Sequence, residues 1–374
     1  MPKLDSPLQL SPVFKTKVWG RLRLDPLYPG SWTTRRGNTV SIRHPAREGL
    51  ENEPIGEAWL TGDEAVFTNG PVAGLSLGEA CKRYGPELCG FDGPEGPDGI
   101  DGRFPILSKF IFTNDWLSVQ VHPDDAYARQ HEPGSIGKCE MWYVIDAAPT
   151  AEFLLGLKPG VSKETLRSAS SQGHWAEFLQ RFRAKPGEAI FVPPGAMHAL
   201  GPGLILFEAE ENSDVTYRLD DFGRPGLDGK PRPLHLEKGL EVTRPELPAY
   251  RDLPSLDLPE SYGSRRLMLA CRFFAVELLR LQKIASFDGP RRRVETLSVI
   301  SGEGRVETPA GWFAYRTGDL WLIPPATPAY RLAPEAESTV LKFYVPDIDA
   351  DFQTPLAAAG LNQEEFQKIL FTDV

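Results

Sequence analysis

The chain has 374 residues, and its 51 acidic and 41 basic side chains give a formal net charge of -10 at pH 7. An acidic protein lacks the extended basic surface that displaces counterions from a polyanion, which argues against broad nucleic-acid binding. No run of about 18 apolar residues suggests a membrane span, and Met1–Ser11 has no apolar core of signal-peptide length. We therefore expect a cytoplasmic protein without nucleic acid or a membrane as partner.

The composition predicts a fold that is mainly β. Glycine and proline occur 35 times each, and turn formers spread along the chain indicate many short strands rather than long helices. A short helix is predicted after Ser76, where Ser76 and Glu79 have the spacing of a capping box. A second helical segment is predicted over about residues 161–183, capped by Ser162. The four cysteines form no CxxC pair, so we expect buried, reduced thiols.

The first polar residues of interest follow an apolar stretch, Phe104–Pro123, that predicts two strands separated by a turn. In the second strand, Gln120 and His122 are two residues apart and therefore project from the same face. Glu140 opens the next predicted strand, EMWYVIDA. If these strands are central, the three side chains face the interior of one barrel.

The segment Gly187–His198, GEAIFVPPGAMH, describes a strand, a tight turn and one presented histidine. Its spacing resembles the second conserved motif of the cupin superfamily, whose members are small β-barrels that usually carry a metal. Pro202 stands where that motif usually has a final asparagine. A single histidine in a loop is equally explained as a surface residue, so the metal interpretation requires partners elsewhere.

An internal repeat indicates two such barrels. Gly318–Ala329, GDLWLIPPATPA, aligns with Gly187–His198, and ETLSVISG at Glu295–Gly302 resembles the strand that Glu140 opens. The second copy has Ala329 where the first has His198, and no histidine occurs beyond residue 235. We predict a bicupin: a metal-binding barrel in residues 1–245, a proline-rich linker in residues 246–262, and a second barrel without metal ligands in residues 263–374, ending in a helix over residues 361–370.

The candidate ligands of the first barrel are Gln120, His122, Glu140 and His198. Two imidazoles, a carboxylate and an amide oxygen suit a borderline divalent ion, and zinc accepts this set. Iron in a site of two histidines and one carboxylate is the close competitor. Each residue alone has a structural explanation, since Gln120 could be a buried amide and Glu140 could pair with Lys138. Their joint occurrence with the cupin-like turn favours a metal.

Four motifs resemble, in order, those of the type I phosphomannose isomerases in their short bacterial form. They are LSVQVHPDD (Leu117–Asp125), GKCEMWYVIDA (Gly137–Ala147), VPPGAMHALGPG (Val192–Gly203) and NSDVTYRLDDFGR (Asn212–Arg224). The resemblance implies one zinc ion per chain, held by Gln120, His122, Glu140 and His198. It also implies a small sugar phosphate as substrate, with mannose 6-phosphate and fructose 6-phosphate interconverted through a cis-enediol.

The resemblance further implies that Arg218 is an active-site arginine and that Lys138 is a catalytic residue. Lys138, Ser118 and Arg218 are candidates for contacting the phosphate, and Glu208, where the family has a glutamate, is the candidate for the proton-transfer base. From the residues alone, Arg218 could instead neutralise an enediolate, hold a phosphate, or pair with a neighbouring aspartate. Glu208 and Glu210 share a strand face, and two close carboxylates would raise one pKa. The chain departs from the family pattern at Cys139 and at Glu210–Glu211.

Two other functions fit a cupin fold. An iron-dependent oxygenase would use the same histidines, and a non-catalytic bicupin would bind a sugar phosphate without converting it. Gln120 beside His122 and the NSDVTYR segment argue against the oxygenase. The sequence predicts either a monomer or a homodimer.

Overall fold

The computed structural model describes residues 2–29, 53–90, 102–169, 175–289 and 291–372, and these ranges are mainly β, as predicted. The strands are β1 Leu8–Ser11, β2 Val13–Arg21, β3 Ile55–Trp59, β4 Val66–Phe67, β5 Ile106–Phe112, β6 Val119–Val121, β7 Glu140–Ala147, β8 Glu152–Leu157, β9 Leu179–Arg183, β10 Ala189–Val192, β11 His198–Leu200, β12 Leu204–Glu211, β13 Tyr217–Asp220, β14 Leu256–Glu260, β15 Gly263–Cys271, β16 Ala275–Leu281, β17 Ala285–Phe287, β18 Glu295–Ser301, β19 Glu303–Thr308, β20 Gly311–Arg316, β21 Leu320–Ile323, β22 Tyr330–Pro334, β23 Ser338–Tyr344 and β24 Leu370–Phe371.

The helices are short. They are α1 Leu77–Tyr84, α2 Pro86–Cys89, α3 Asp125–His131, α4 Lys163–Ala169, α5 Leu236–Val242, α6 Thr354–Ala358 and α7 Gln363–Phe366, with 3₁₀ turns at Gly70–Val72, Trp175–Phe178 and Gln367–Ile369 and a π-helical turn at Ile348–Gln353. The predicted capping box before α1 is present, with Ser76 and Glu79 satisfying each other's backbone N–H groups. None of the helices in the described ranges is long and apolar enough to cross a membrane.

The strands form two pairs of sheets. In the N-terminal half, a six-stranded sheet has the order β10-β7-β12-β5-β3-β2, and a five-stranded sheet has the order β13-β6-β11-β8-β9. In the C-terminal half, the larger sheet runs β14-β15-β16-β23-β18-β21-β1-β4, with β24 beside β15, and the smaller runs β17-β22-β19-β20. Strand β1 pairs antiparallel with β21, so the N-terminal segment adds a strand to the C-terminal sheet.

Alternation along the central strands produces separate cores on the two faces of each large sheet. On β7, Trp142 packs inward between the two N-terminal sheets, whereas Met141 packs outward. The outward faces of the two large sheets contact each other, as shown by the rings of Phe207 and Phe343, whose centroids are 5.2 Å apart. Because successive residues alternate, the strands that bury this interface also direct Glu140, Glu208 and Glu210 into the N-terminal interior.

Three local predictions differ from the structure. A helix was predicted over residues 161–183, but only α4 and one 3₁₀ turn are helical there, and residues 170–174 lie outside the described ranges. The last five residues form strand β9, where Phe182 packs on Phe153 with 5.6 Å between ring centroids. Leu256–Glu260, placed in the linker, forms the edge strand β14, a position that tolerates Pro259. The predicted C-terminal helix over residues 361–370 is reduced to α7 and a 3₁₀ turn before β24. The four cysteines are free and buried, as expected.

Candidate metal centre and active site

Three strands bring the predicted ligands to one place. Gln120 on β6 pairs directly with His198 at the start of β11, and His122 follows the end of β6. Glu140 enters as the first residue of β7. The turn before β11 passes through Gly195, whose positive φ of 87° and N–H bond to the carbonyl of His122 (2.9 Å) fix the approach of His198. The local sequence therefore folds so that all four side chains converge.

Backbone carbonyls fix the orientation of both imidazoles. His122 Nδ1 lies 2.8 Å from the carbonyl oxygen of Val215, and His198 Nδ1 lies 2.9 Å from that of Ala196. Each Nδ1 must therefore carry the proton and donate it, which leaves the lone pair on Nε2. The two Nε2 atoms lie 3.7 and 3.2 Å from Oε1 of Glu140, respectively. This is how histidine ligands are usually oriented toward a metal.

The donor set fits a metal ion. His122 Nε2 and Glu140 Oε1 are buried and have no hydrogen-bond partner within the described ranges, and the ligand atoms of His122, Glu140 and His198 all lie within 4.8 Å of one another. Burial lowers the pKa of His198 to about 4 and also lowers that of His122, so both rings are neutral near pH 7. Gln120 has its amide nitrogen 3.1 Å from His198 Nε2, and a rotation of this amide would place its oxygen there instead.

Two buried lysines neutralise the carboxylates around this centre. Lys138 Nζ lies 2.7 Å from Glu140 Oε2 and 2.8 Å from Glu210 Oε2, while Lys109 Nζ lies 2.6 Å from Glu210 Oε1 and 3.4 Å from Glu208 Oε1. Burial alone would raise the pKa of Glu140, but Lys138 and the two histidines hold it well below its usual range. Burial raises the pKa of Glu210 well above its usual value, against the attraction of both lysines. The sequence predicted a raised pKa for one of two close carboxylates, and Glu210 is the carboxylate whose pKa is raised.

A pocket opens above the metal centre. It has a volume of about 210 Å³ and is lined by Lys17, Trp19, Glu57, Lys109, Ile111, Leu117, Ser118, Gln120, Lys138, Glu208, Asp214, Thr216, Arg218, Arg232 and His235. Glu208 is held in the wall by the indole N–H of Trp142, which donates to Oε2 at 3.0 Å. Ser118 Oγ lies 3.5 Å from Gln120 Oε1. A polar pocket of this kind suits a small hydroxylated anion.

Arg218 lies on β13, where it pairs across the ladder with Gln120 on β6. Its Nη1 donates to the carbonyl oxygen of Pro233 at 3.0 Å. The neighbouring Asp221 is bonded by other side chains, Arg224 (2.9 Å) and Arg232 (2.6 Å). The sequence left open a salt bridge between Arg218 and an adjacent aspartate. Within the described ranges, Arg218 forms no such salt bridge.

The departure at Glu211 has a structural role. The backbone N–H of Cys139 donates to Glu211 Oε2 at 2.6 Å, and the N–H of Glu211 donates to the carbonyl of Cys139 at 3.1 Å. These bonds fasten the end of β12 to the residue just before Glu140. Glu211 therefore helps to position the ligand strand.

The sequence reasoning missed several pocket residues. Lys109 had a detectable signal, because a single lysine inside the apolar strand β5 is a buried charge that needs partners. His235 and Arg232 had none, since they lie in a polar, proline-rich segment far from the ligands in sequence. Only the fold of the chain after β13 brings them to the pocket.

The protein is mainly β, and its site is a buried centre of two histidines and a carboxylate, a set of residues that could hold a metal ion. No family model matches the chain. It is 32% identical to a mannose-6-phosphate isomerase of Bacillus subtilis over 89% of this chain and 98% of that protein, and 34% identical to a probable mannose-6-phosphate isomerase of the same organism over 85% and 93%. The crystal structure of mannose 6-phosphate isomerase from Bacillus subtilis superposes with a TM-score of 0.77 at 28% identity, covering 91% of this chain and all of that one. The chain belongs to the mannose-6-phosphate isomerase family.

Proposed function

We propose that this protein is a zinc-dependent isomerase that interconverts mannose 6-phosphate and fructose 6-phosphate. One observation carries the proposal: in a chain of this family, the Nε2 atoms of His122 and His198 converge on Glu140 Oε1 beneath a polar pocket. Gln120, His122, Glu140 and His198 would hold one zinc ion per chain. When bound, zinc supplies a Lewis acid that polarises a substrate oxygen and stabilises negative charge on it.

The reaction needs only the movement of protons. A base removes the proton from C2 of the open-chain aldose, and the electron pair forms the C1–C2 double bond of an enediol as the carbonyl oxygen is protonated. Return of a proton to C1, with loss of the proton from the C2 hydroxyl, yields the ketose. Donors aimed at the oxygen that gains charge lower the barrier where water is scarce.

Glu208 is our candidate for the base. Its carboxylate lines the pocket, and the Trp142 indole fixes its direction. Glu210, by contrast, is fully buried between Lys109 and Lys138 and does not line the pocket. Geometry therefore favours Glu208 of the two carboxylates.

The remaining predicted residues surround the same space. Lys138 is bonded to the ligand Glu140, which supports a role close to the reacting carbons. Ser118 lies beside Gln120 and offers a hydroxyl donor to the substrate. Arg218, which pairs with Gln120 across the sheet, presents a guanidinium suited to an enediolate or a phosphate. We infer further that each sheet pair is a cupin barrel, the second without metal ligands.

Proton NMR of mannose 6-phosphate in deuterated water, with purified protein of known metal content, tests the proposal. We expect fructose 6-phosphate to form and deuterium to enter at C1 or C2. Activity should disappear with a chelator and return with zinc. Full turnover by metal-free protein would contradict the zinc assignment. An unchanged spectrum would leave the non-catalytic bicupin, and oxygen consumption that depends on ferrous iron would indicate the oxygenase.

A further inference from the structure

The two ends of the pocket differ in how their positive charges are balanced. Near the metal centre, Lys109 and Lys138 each contact buried carboxylates at less than 3 Å. On the edge of β13 that faces away from Gln120, the backbone of Arg218 bonds to His235. These two residues line the pocket together with Arg232, and we call this set the arginine–histidine end. Asp221 is the carboxylate that bonds Arg232 there, and Arg224 shares it. Within the described ranges Arg218 has no ion-pair partner of its own, and Asp214 and Asp221 attract it only at longer range, so this end keeps a cation without a direct partner.

The imidazole of His235 has a defined tautomer. The backbone N–H of His235 donates to the carbonyl of Arg218 at 2.7 Å, and the backbone N–H of Arg218 donates to Nδ1 of His235 at 3.1 Å. Because Nδ1 accepts, the proton of the neutral ring is on Nε2. Burial and the charge of Arg218 lower the pKa of His235, which favours this neutral form. His235 thus offers one N–H donor from the pocket wall.

The two guanidinium groups are held by different anchors. Arg218 Nη1 is bonded to the carbonyl of Pro233, while its buried Nε has no hydrogen-bond partner in the described part of the chain. Arg232 is paired through Nε and Nη2 with Asp221. Burial lowers the pKa of Arg218, and the charge of Arg232 lowers it further, so the two cations are near enough to repel. An anion between them would relieve that repulsion.

Resting on the proposed function, we infer that Arg232 and His235, beside Arg218, form the site for the phosphoryl group of the sugar phosphate. In an open-chain hexose 6-phosphate, the reacting carbons C1 and C2 and the phosphate on C6 lie at opposite ends of the molecule. A substrate whose C1 and C2 reach the metal centre places its phosphate at the other end of the pocket. Lys138, bonded to Glu140, then serves the reacting end and not the phosphate.

The test combines steady-state kinetics with direct binding of inorganic phosphate by calorimetry, using the metal-loaded full chain. For Arg232→Gln and His235→Ala we expect KM for mannose 6-phosphate and the phosphate dissociation constant to rise about tenfold or more, with kcat within about threefold of wild type, because ground-state and transition-state binding are weakened equally. Arg224→Gln is the matched control, because it also removes a partner of Asp221 but Arg224 does not line the pocket. It should change neither constant.

Two further variants guard against misfolding. Arg232→Lys keeps the positive charge but loses the planar guanidinium, and His235→Asn keeps an acceptor for the backbone N–H of Arg218. Each should bind phosphate more tightly than Arg232→Gln or His235→Ala, respectively, but less tightly than wild type. A fall in kcat with KM and phosphate binding unchanged would overturn the assignment, as would unchanged constants in both primary variants of an active enzyme. If the wild type isomerises nothing, the proposed function fails, but phosphate binding lost in Arg232→Gln and kept in Arg224→Gln would still support the anion site.

Discussion

The ammonium of Lys138 lies 2.7 Å from Oε2 of Glu140, the oxygen that does not face the two histidines. One carboxylate thus has two distinct sides, with a buried cation on one oxygen and two imidazole lone pairs on the other. A divalent ion on the histidine side would make Glu140 a bridge between two positive centres. The lysine keeps that carboxylate ionised and oriented before any metal binds.

We predict that His198→Ala removes the metal. Wild-type protein should contain about one zinc per chain by elemental mass spectrometry, and the variant almost none, because one of the imidazole ligands is lost. Isomerase activity should be lost in parallel and should not return with added zinc. His131→Ala is the control, since that ring stacks on Tyr127 with 4.0 Å between centroids and takes no part in the centre. Equal zinc content in wild type and His198→Ala would contradict the assignment.

Lys138 and Glu210 should be energetically coupled. Lys138 contacts both Glu210 and the ionised Glu140, and leaving a buried carboxylate charge without its cation costs about 3–5 kcal/mol. We expect Lys138→Met to lower the free energy of unfolding by this order, and the double variant Lys138→Met/Glu210→Gln to lose less than the sum of the two single changes. Urea unfolding in excess chelator, which removes the contribution of metal binding, measures the coupling.

A coupling of about 0.5–3 kcal/mol is the expected size for contacting residues, and strict additivity would show that the two side chains act independently. Lys15 and Glu64 form a comparison pair, since Glu64 is largely exposed. The same cycle at that pair should give a coupling of no more than about 1 kcal/mol.

Replacing Glu208 should lower the rate of the chemical step without changing the metal content of the protein. Glu208→Gln keeps the hydrogen bond from the Trp142 indole but removes the base, so kcat should fall by about 10²–10⁴ with zinc content unchanged. Exchange of deuterium into the substrate should fall equally. Glu210→Gln is the comparison, since that residue does not line the pocket and should reduce kcat less. A Glu208→Gln variant with nearly wild-type kcat would exclude Glu208 as the base.

The sequence predicted that the candidate ligands converge because each prediction rested on a local pattern. The two-residue spacing of Gln120 and His122 on a strand and the turn before His198 are local features, and the structure brings these side chains together with Glu140 as expected. The mainly β class followed in the same way from turn formers. Short-range periodicity was less reliable for residues 179–183, where pairing with β8 decides the conformation in favour of a strand.

What the sequence could not provide depends on contacts between distant segments. His235 reaches the pocket because its backbone pairs with Arg218, and no residue pattern near it indicates this. Strand β1 joins the C-terminal sheet by pairing with residues more than 300 positions away, a contact that no local pattern encodes.

The register of the two large sheets reveals a charge exchange that sequence alignment alone did not show. On β5 and β12, Lys109 pairs with Glu208, whereas on β16 and β23, Glu277 pairs with Lys342. In the C-terminal half, Lys342 Nζ lies 2.7 Å from Oε1 of Glu295, the residue that the repeat aligns with Glu140. A lysine contacts the aligned carboxylate in both interiors. No histidine occurs beyond residue 235, so the second interior has a buried ion network without the imidazoles of the candidate metal centre.

This network predicts an acid-sensitive contribution to stability. Burial would raise the pKa of Glu277, but Lys342 and Arg265 lower it to about 2, against an ordinary value of 4.5. Because the pKa is depressed in the folded state, the stabilisation is complete above about pH 4.5 and is lost as the pH falls toward 2. The difference between the two pKa values corresponds to on the order of 3 kcal/mol.

Urea unfolding of wild type and Glu277→Gln between pH 6 and pH 3 measures this contribution. The variant should be less stable at pH 6. The stability difference should narrow as the pH falls below about 4.5, because Glu277 then takes up a proton in the unfolded chain while it stays ionised in the folded protein. Glu335→Gln is the control, since Glu335 and its partner Arg305 are both about half exposed, and its effect should stay below about 1 kcal/mol at every pH. The stabilities of wild type and Glu277→Gln can converge only if Glu277 takes up its proton differently in the folded and unfolded states. A stability difference that stays constant down to pH 3 would therefore contradict the depressed pKa of Glu277.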